Sequence, residues 1–306
     1  MAKVLIATEK PFAKAAVDGI KKIFTEAGFE TVLLEKYTDP NDLIKAVADV
    51  DALIIRSDKA THAVIEAAKN LKIIVRAGAG YDNIDIAAAT EKGICAMNTP
   101  GQNSNAVAEL ALGLMVFMSR GQFKGISGTE LKGKKLGIQA YGAVGKCVAK
   151  ITKGFGMELW AYDPYACQGD IVKDGLICAQ SVENLYSSCD YISVNIPANE
   201  KTKKSINFEL MSKMPKGAIV VNTARKEVID EESLKKMFAE RPDFKYASDI
   251  APDCHADLLQ YNERYYATPK KQGAETSEAN INAGLAAANQ IVGFLKNGDR
   301  TFQVNK

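Results

Sequence analysis

Residues 136–163 read LGIQAYGAVGKCVAKITKGFGMELWAYD. An apolar run, Leu136–Ala140, leads into Tyr141-Gly142-Ala143-Val144-Gly145. A proline-free stretch with helical spacing follows. A second apolar run, Leu159–Tyr162, then stops at Asp163, eighteen residues after Gly145. Strand, glycine turn, helix, strand and terminal acid make up the layout of a Rossmann-type dinucleotide-binding βαβ unit. Gly142 would let the backbone approach a pyrophosphate, and Gly145 would let the helix pack close to the strand. The helix N-terminus would turn unpaired N–H groups and a partial positive charge toward the phosphates. Tyr141, Gly142, Ala143, Val144 and Gly145 are therefore candidate cofactor-binding residues. Asp163 would accept hydrogen bonds from the adenosine ribose hydroxyls and repel a 2′-phosphate, so NAD is expected rather than NADP. The first glycine of the pattern is replaced by Ala140. If that position takes a positive φ, alanine costs about 1 kcal/mol. The plainer alternative is a βαβ unit whose glycines serve packing alone.

On either side of this unit, apolar runs alternate with helical patterns. Val4–Ala7, Val32–Leu34, Ala52–Ile55 and Ile73–Val75 read as buried strands, with helical stretches at Phe12–Ala27, Leu43–Val47 and Ala63–Lys69. A break at Asn98-Thr99-Pro100-Gly101 precedes a long helical candidate from Asn103 to Arg120. Beyond it, further strands are expected at Tyr191–Ile196, Ala218–Asn222 and Tyr246–Ile250, and a last long helix at Ser277–Lys296 before Asn297-Gly298. This rhythm predicts α/β architecture: two doubly wound parallel-sheet domains with helices on both faces.

Composition narrows the function. The 306 residues are 47% hydrophobic and 25% charged, with a formal net charge of +2, which suits a soluble globular protein and not a nucleic-acid surface. Cys95, Cys147, Cys167, Cys178, Cys189 and Cys254 show no zinc-ligand spacing, so no metal is expected, and free thiols in a reducing compartment are. No apolar run approaches a membrane span, and the first residues resemble neither a signal nor a transit peptide. A cytoplasmic protein, with no nucleic-acid or membrane partner, is the expectation.

Several further segments, in order, resemble the D-2-hydroxyacid dehydrogenase family. They are Val75-Arg76-Ala77-Gly78-Ala79-Gly80-Tyr81-Asp82-Asn83, Met97-Asn98-Thr99-Pro100 with Asn103-Ser104, Ala108-Glu109-Leu110, Val221-Asn222-Thr223-Ala224-Arg225, Ser248-Asp249-Ile250 and Thr268-Pro269. The resemblance spans nearly the whole chain. It implies a flavodoxin-like substrate domain (residues 1–97 and 283–306), a Rossmann NAD-binding domain (98–282) and an active site in the cleft between them. Oxidising a 2-hydroxy acid needs a cation for the carboxylate, a base for the hydroxyl proton and a hydride acceptor. Arg225, at the end of an apolar strand, matches the family's catalytic arginine; a guanidinium fork suits a carboxylate. The backbone of Ala77, Gly78 and Ala79 matches the carboxylate loop, with Asn103 nearby in the motif. Asp249 resembles the residue that holds the nicotinamide carboxamide. Asn195, Ile196, Pro197, Thr202, Thr223 and Ala224 fall where the family lines its cofactor. Arg56, with Ser57, and Arg76 end strands in the first domain and resemble positions of the members that oxidise 3-phospho-D-glycerate. Two arginines suit a dianionic phosphate, and Lys59 could add to them.

The pattern breaks where the family places its histidine–glutamate pair. Thr268-Pro269 is followed by Lys270-Lys271, and the glutamate position falls near Cys254. Three readings remain open. Lys270 is the acid/base, its amine made less basic by burial and by Arg225 and Lys271 nearby. His255 has taken the role. Or the site only senses NAD. The loop Gln272–Thr276 is one residue longer than the family's, which leaves open a one-residue shift in which Lys271 faces the site in place of Lys270. The short link Gly121–Thr129 trims a segment that pairs subunits in the family, yet a homodimer through the Asn103–Arg120 helix is still expected. With Lys306 as the last residue, the regulatory domain of longer members is not expected.

Overall fold

The computed structural model describes residues 1–305. The chain divides into two compact units, 1–103 with 276–306, and 104–275. Residues 98–103 and 276–282, expected in the cofactor domain, therefore belong to the first unit. The division falls at the starts of two long helices, not at the Asn98–Gly101 break.

The first unit opens with β1 (Lys3–Thr8), α1 (Lys14–Ala27), β2 (Glu30–Glu35), α2 (Pro40–Ala46), β3 (Ala52–Ile55), α3 (His62–Ala67), β4 (Ile73–Arg76), α4 (Ile86–Glu91) and β5 (Cys95–Asn98). All strand pairs are parallel and the order is β2-β1-β3-β4-β5. That is the flavodoxin-like order, which reverses between β1 and β3. β3 is buried along its whole length, as a central parallel strand covered on both faces must be. In α1 the buried residues Ala16, Val17, Ile20 and Phe24 recur at helical spacing, and Gly28 ends the helix at φ 79°, a left-handed turn that glycine adopts without penalty.

The central unit holds α5 (Ser104–Ser119), β6 (Lys135–Gln139), α6 (Ala143–Lys153), β7 (Glu158–Tyr162), α7 (Gln168–Lys173), β8 (Ile177–Cys178), α8 (Val182–Ser188), β9 (Tyr191–Val194), α9 (Phe208–Ser212), β10 (Ile219–Asn222), α10 (Glu231–Glu240), β11 (Lys245–Ser248), α11 (His255–Leu258) and β12 (Tyr265–Ala267). Seven parallel strands run in the order β12-β11-β10-β9-β6-β7-β8. The order reverses between β6 and β9, and ligands of such sheets bind outside the carboxyl ends of the strands at that point. The core beneath is apolar: Leu136, Ile138, Val148, Ala161, Ile219 and Val221 are buried with Ala108, Ala111 and Met115 of α5. α12 (Ser277–Asn297) returns the chain to the first unit, where Gly284 lies against Ile20 of α1 with no room for a side chain: a Cβ there would come within 2.9 Å of Ile20 Cδ1. Among the described residues, no helix is long and apolar enough to cross a membrane.

Candidate active site

The candidate residues of the central unit all follow carboxyl ends of its strands. Ala140 follows β6, Asp163 β7, Asn195 β9, Arg225 β10, Asp249 β11 and the two lysines β12. One sheet edge thus gathers residues that lie up to 131 positions apart in sequence (140 to 271).

At the switch point, Ala140 stands at φ 74°, the left-handed conformation its glycine predecessor in the pattern would take freely. Its N–H donates to Tyr162 O at 2.9 Å. Tyr141 N donates to Asp163 Oδ2 at 2.8 Å, and the Tyr141 hydroxyl donates to Asp174 at 2.9 Å. Burial, then the Asp174 carboxylate, pushes the Tyr141 phenol above its ordinary range. A Cβ on Gly145 would lie 2.3 Å from Ala140 O, whereas one on Gly142 would meet nothing within 4 Å. Gly145 is thus needed for helix-to-strand packing, and Gly142 keeps open the space in front of the helix N-terminus. Asp163 Oδ1 also accepts from Tyr165 N at 2.8 Å and from Ala166 N at 3.3 Å. A carboxylate offers about four acceptor sites, so a ribose hydroxyl can still be accepted beside these three backbone bonds. A cleft beside it is lined by Gln139, Ala140, Tyr162, Pro164, Ile196 and Thr202. Thr202 Oγ1 donates to Pro197 O at 2.5 Å, which fixes the loop after β9.

Two buried acceptors along this edge, Asn195 Oδ1 and Thr223 Oγ1, have no hydrogen-bond partner among the described residues. Orphaned buried polar atoms are costly, and both stand at ends of neighbouring strands where a dinucleotide's sugar and amide groups would satisfy them. The open space at Gly142, the acid at 163 and these two atoms fit NAD.

At the β10 end, Asn222 is 1% exposed and organises the turn. Its Oδ1 accepts from Ala224 N at 3.0 Å, and its Nδ2 donates to Arg225 O at 2.9 Å and to the Tyr246 hydroxyl at 3.2 Å. Arg225 Nη1 donates to Ala224 O at 3.0 Å. The same oxygen accepts from Lys271 Nζ at 3.3 Å. The amine brought to Arg225 is therefore that of Lys271, as a longer following loop allows. Both lysines are exposed, which corrects the expected burial of Lys270: they follow a three-residue strand at the sheet's edge, where solvent reaches the loop. His255 Nδ1 is engaged with the Tyr265 hydroxyl at 2.7 Å, at the first residue of β12, whereas the lysines follow its last. Near Cys254, the expected glutamate position, a carboxylate does arrive from elsewhere. Glu231 accepts from Asp253 N at 2.9 Å and Cys254 N at 2.8 Å. Burial and then the Glu231 charge push the Cys254 thiol up to about 12.

In the first unit, Arg56 and Arg76 come together at the ends of β3 and β4, Arg76 Nε donating to Arg56 O at 3.1 Å. Arg56 Nη1 reaches Lys10 O and Pro11 O, both at 3.2 Å, Nη2 bonds Asn280 Oδ1, and the guanidinium lies 5.1 Å from the centre of the Phe12 ring. The Arg76 guanidinium covers Gly78, where a Cβ would come within 1.8 Å of Nη1. Asp58, buried and not singled out from sequence, holds this corner by accepting from Glu9 N (2.7 Å), Arg56 N (3.1 Å) and the Tyr37 hydroxyl (2.7 Å). Ala77 N and Gly78 N donate to Ile55 O and Arg76 O at 2.8 and 2.9 Å. This corrects the expected carboxylate loop, whose remaining N–H groups are those of Ala79 and Gly80: that of Ala77 continues the β3–β4 ladder and that of Gly78 closes the turn after β4. Ser57 and Lys59 are exposed beside Arg56, and Asn103 is half-buried just before α5.

Residues 112–269 match the model of the D-isomer specific 2-hydroxyacid dehydrogenase, NAD binding domain. A hydroxypyruvate reductase of Thermotoga maritima is 38% identical over 282 residues, 86% of this chain and 90% of that protein. The chain belongs to the D-isomer specific 2-hydroxyacid dehydrogenase family. Its central unit is the family's NAD-binding domain, and the matched stretch stops at Pro269, one residue before the lysine pair. A D-3-phosphoglycerate dehydrogenase of Methanocaldococcus jannaschii is 38% identical over 272 residues, 83% of this chain; the chain spans 52% of that relative's length. Among solved structures, the NAD+-bound 3-phosphoglycerate dehydrogenase of Entamoeba histolytica is 48% identical with a TM-score of 0.91, covering 100% of this chain and 99% of that one. As a member of this family the chain is an NAD-dependent oxidoreductase acting on a small hydroxy acid.

Proposed function

We propose that the chain interconverts 3-phospho-D-glycerate and 3-phosphohydroxypyruvate with NAD, the entry reaction of serine biosynthesis. The observation that carries this reading is the meeting of Arg225 and Lys271 on Ala224 O, at the ligand edge of an NAD-binding sheet. In the oxidation the C2–H bond breaks with its electron pair, the hydroxyl proton leaves and C2–OH becomes C=O. Bound NAD supplies the hydride acceptor. Arg225 binds the carboxylate and the adjacent oxygen through its fork, and a neutral lysine amine takes the hydroxyl proton. In the reverse direction the ammonium form donates that proton. Lys271 is the amine this geometry favours; Lys270, next to it, is the alternative. In the first unit, taken by itself, the N–H groups of Ala79 and Gly80 are donors suited to a carboxylate, and Arg56 and Arg76 are suited to a phosphate. Names of similar proteins support the substrate. A homodimer is part of the same proposal.

A second reading, reduction of unphosphorylated hydroxypyruvate, is favoured by the Thermotoga relative and by Arg56, whose guanidinium already serves three acceptors. The test follows NADH absorbance with phosphohydroxypyruvate and with hydroxypyruvate. The first reading expects higher kcat/KM for the phosphorylated ketoacid, lost selectively in Arg56→Ala and Arg76→Ala. Equal or higher efficiency on hydroxypyruvate, indifferent to both changes, supports the second. NAD binding without turnover of either removes both and leaves another D-2-hydroxy acid, such as lactate, or a sensor.

A further inference from the structure

Asp58 is 2% exposed and lies in the bend that leaves β3, two residues past Arg56. Its Oδ2 accepts from Arg56 N at 3.1 Å, and its Oδ1 accepts from Glu9 N and from the Tyr37 hydroxyl, both at 2.7 Å. A buried anion must be satisfied by such bonds, and charge-assisted ones are about twice as strong as neutral ones. Burial, then the Asp58 carboxylate, pushes the Tyr37 phenol above its ordinary range, so this hydroxyl stays a donor. One carboxylate oxygen leads to Arg76: it fixes the amide of Arg56, whose carbonyl accepts from Arg76 Nε and from Asn83 Nδ2, both at 3.1 Å. The other leads to the Arg56 guanidinium: it fixes Glu9 N, and the next two carbonyls of that loop, Lys10 O and Pro11 O, accept from Arg56 Nη1 at 3.2 Å. Asn83 Nδ2 closes the bend from its far end, donating to Asp58 O at 2.6 Å.

We propose that Asp58 is a positioning residue for the pair Arg56 and Arg76, and through them a determinant of preference for a phosphorylated substrate. The carboxylate itself meets protein donors, on both of its oxygens, and acts only through the two arginines. A guanidinium fork discriminates by geometry as well as by charge, so the pair selects for a phosphate only while its backbone is held. Side chains ordered before binding also spare the ligand the cost of ordering them. The consequence for the substrate rests on the function proposed above; the hold on the two arginines does not.

The experiment compares wild type with Asp58→Asn, which keeps the shape and removes one of the two acceptor oxygens, and with Tyr37→Phe, which removes only a hydroxyl. Tyr37→Phe decides the matter where Asp58→Asn fails to fold. Steady-state kinetics with phosphohydroxypyruvate and with hydroxypyruvate read selectivity, and amide hydrogen exchange at Glu9 and Arg56 reads the hold on the arginines without any turnover. Expected in Asp58→Asn are lost protection at one or both amides and a KM for phosphohydroxypyruvate raised about tenfold. The ratio of the two kcat/KM values should fall by the same factor, carried by KM and not by kcat. Tyr37→Phe should move each reading in the same direction by about threefold. A ratio that stays at its wild-type value while both efficiencies fall together would make Asp58 a residue of stability alone and overturn the proposal, as would unchanged protection at both amides. If wild type prefers hydroxypyruvate, the proposed function fails and the substrate preference assigned to Asp58 fails with it; the exchange result alone then upholds or overturns the hold on the arginines.

Discussion

Arg225 and Lys271, forty-six residues apart in sequence, donate to one acceptor, the carbonyl oxygen of Ala224, at 3.0 and 3.3 Å. Two cations on one oxygen repel each other, so the arrangement suits a site that awaits an anion. Lys271→Ala is expected to lower turnover of phosphohydroxypyruvate by about 10²–10⁴-fold, the usual share of a general acid. Lys270→Ala should stay within about tenfold of wild type. Steady-state kinetics of both variants check this. The reverse ranking would return the acid/base role to Lys270.

Ala140 at φ 74° and Gly145 against Ala140 O make opposite predictions within one turn. Ala140→Gly relieves a left-handed alanine, a conformation that costs about 1–2 kcal/mol, part of which returns as backbone entropy. A gain of about 0.5 kcal/mol in unfolding free energy is expected, with NAD affinity no weaker than in wild type. Gly145→Ala drives a methyl to 2.3 Å from Ala140 O and should displace the helix whose N-terminus faces the pyrophosphate. Its NADH titration should show binding weakened by at least about tenfold. Unaltered affinity in Gly145→Ala would mean that the turn does not bear on the cofactor.

The central unit's strands were legible because each is an apolar run flanked by glycine or acid, as at Leu136–Ala140 and Leu159–Tyr162. β12 escaped because three residues, Tyr265–Ala267, carry no period, and β8 because two carry none. At the site, residue types were legible and contacts were not. Arg225 could be placed by its motif, but the choice between Lys270 and Lys271 depends on how Gln272 and Gly273 bend onto a carboxylate more than twenty residues earlier. Asn222 was quoted only as part of a motif; its three hydrogen bonds are tertiary facts. The fate of the Ala77 and Gly78 N–H groups was equally hidden, since one is taken by the neighbouring strand at Ile55 O and the other by a local turn at Arg76 O.

Asn305 ties the end of the described chain to β5. Its Oδ1 accepts from Ala96 N at 2.7 Å and its Nδ2 donates to Ile94 O at 2.8 Å and Thr90 Oγ1 at 3.1 Å. Beside it, Val304 N donates to Ala96 O at 2.8 Å. The tail thereby covers an edge strand that would otherwise expose its backbone. Asn305→Ala strands a buried donor and a buried acceptor and should cost about 1–3 kcal/mol, measured by urea unfolding. No change in midpoint would show that water replaces both bonds without penalty.

Arg241 and Asp243 predict how the central unit answers acid. Arg241 Nε and Nη2 donate to the two carboxylate oxygens of Asp243 at 3.0 and 2.8 Å, and Gly217 N adds a bond at 2.7 Å. The Arg241 guanidinium, with these backbone bonds, holds Asp243 well below the usual carboxylate range. Both side chains are largely shielded, at 21% and 31% exposure. An unfolded aspartate titrates near about 3.9, and the folded value is lower. The contribution is therefore fully present above about pH 4 and is lost as pH falls through the folded value, because the unfolded chain then binds the proton first. Asp243→Asn keeps the shape and removes the charge. It should be less stable than wild type by about 1–3 kcal/mol near neutral pH, with the gap in melting temperature narrowing on acidification below about pH 4. A gap that is constant or widens in acid would show that packing, not the ion pair, holds the turn between α10 and β11.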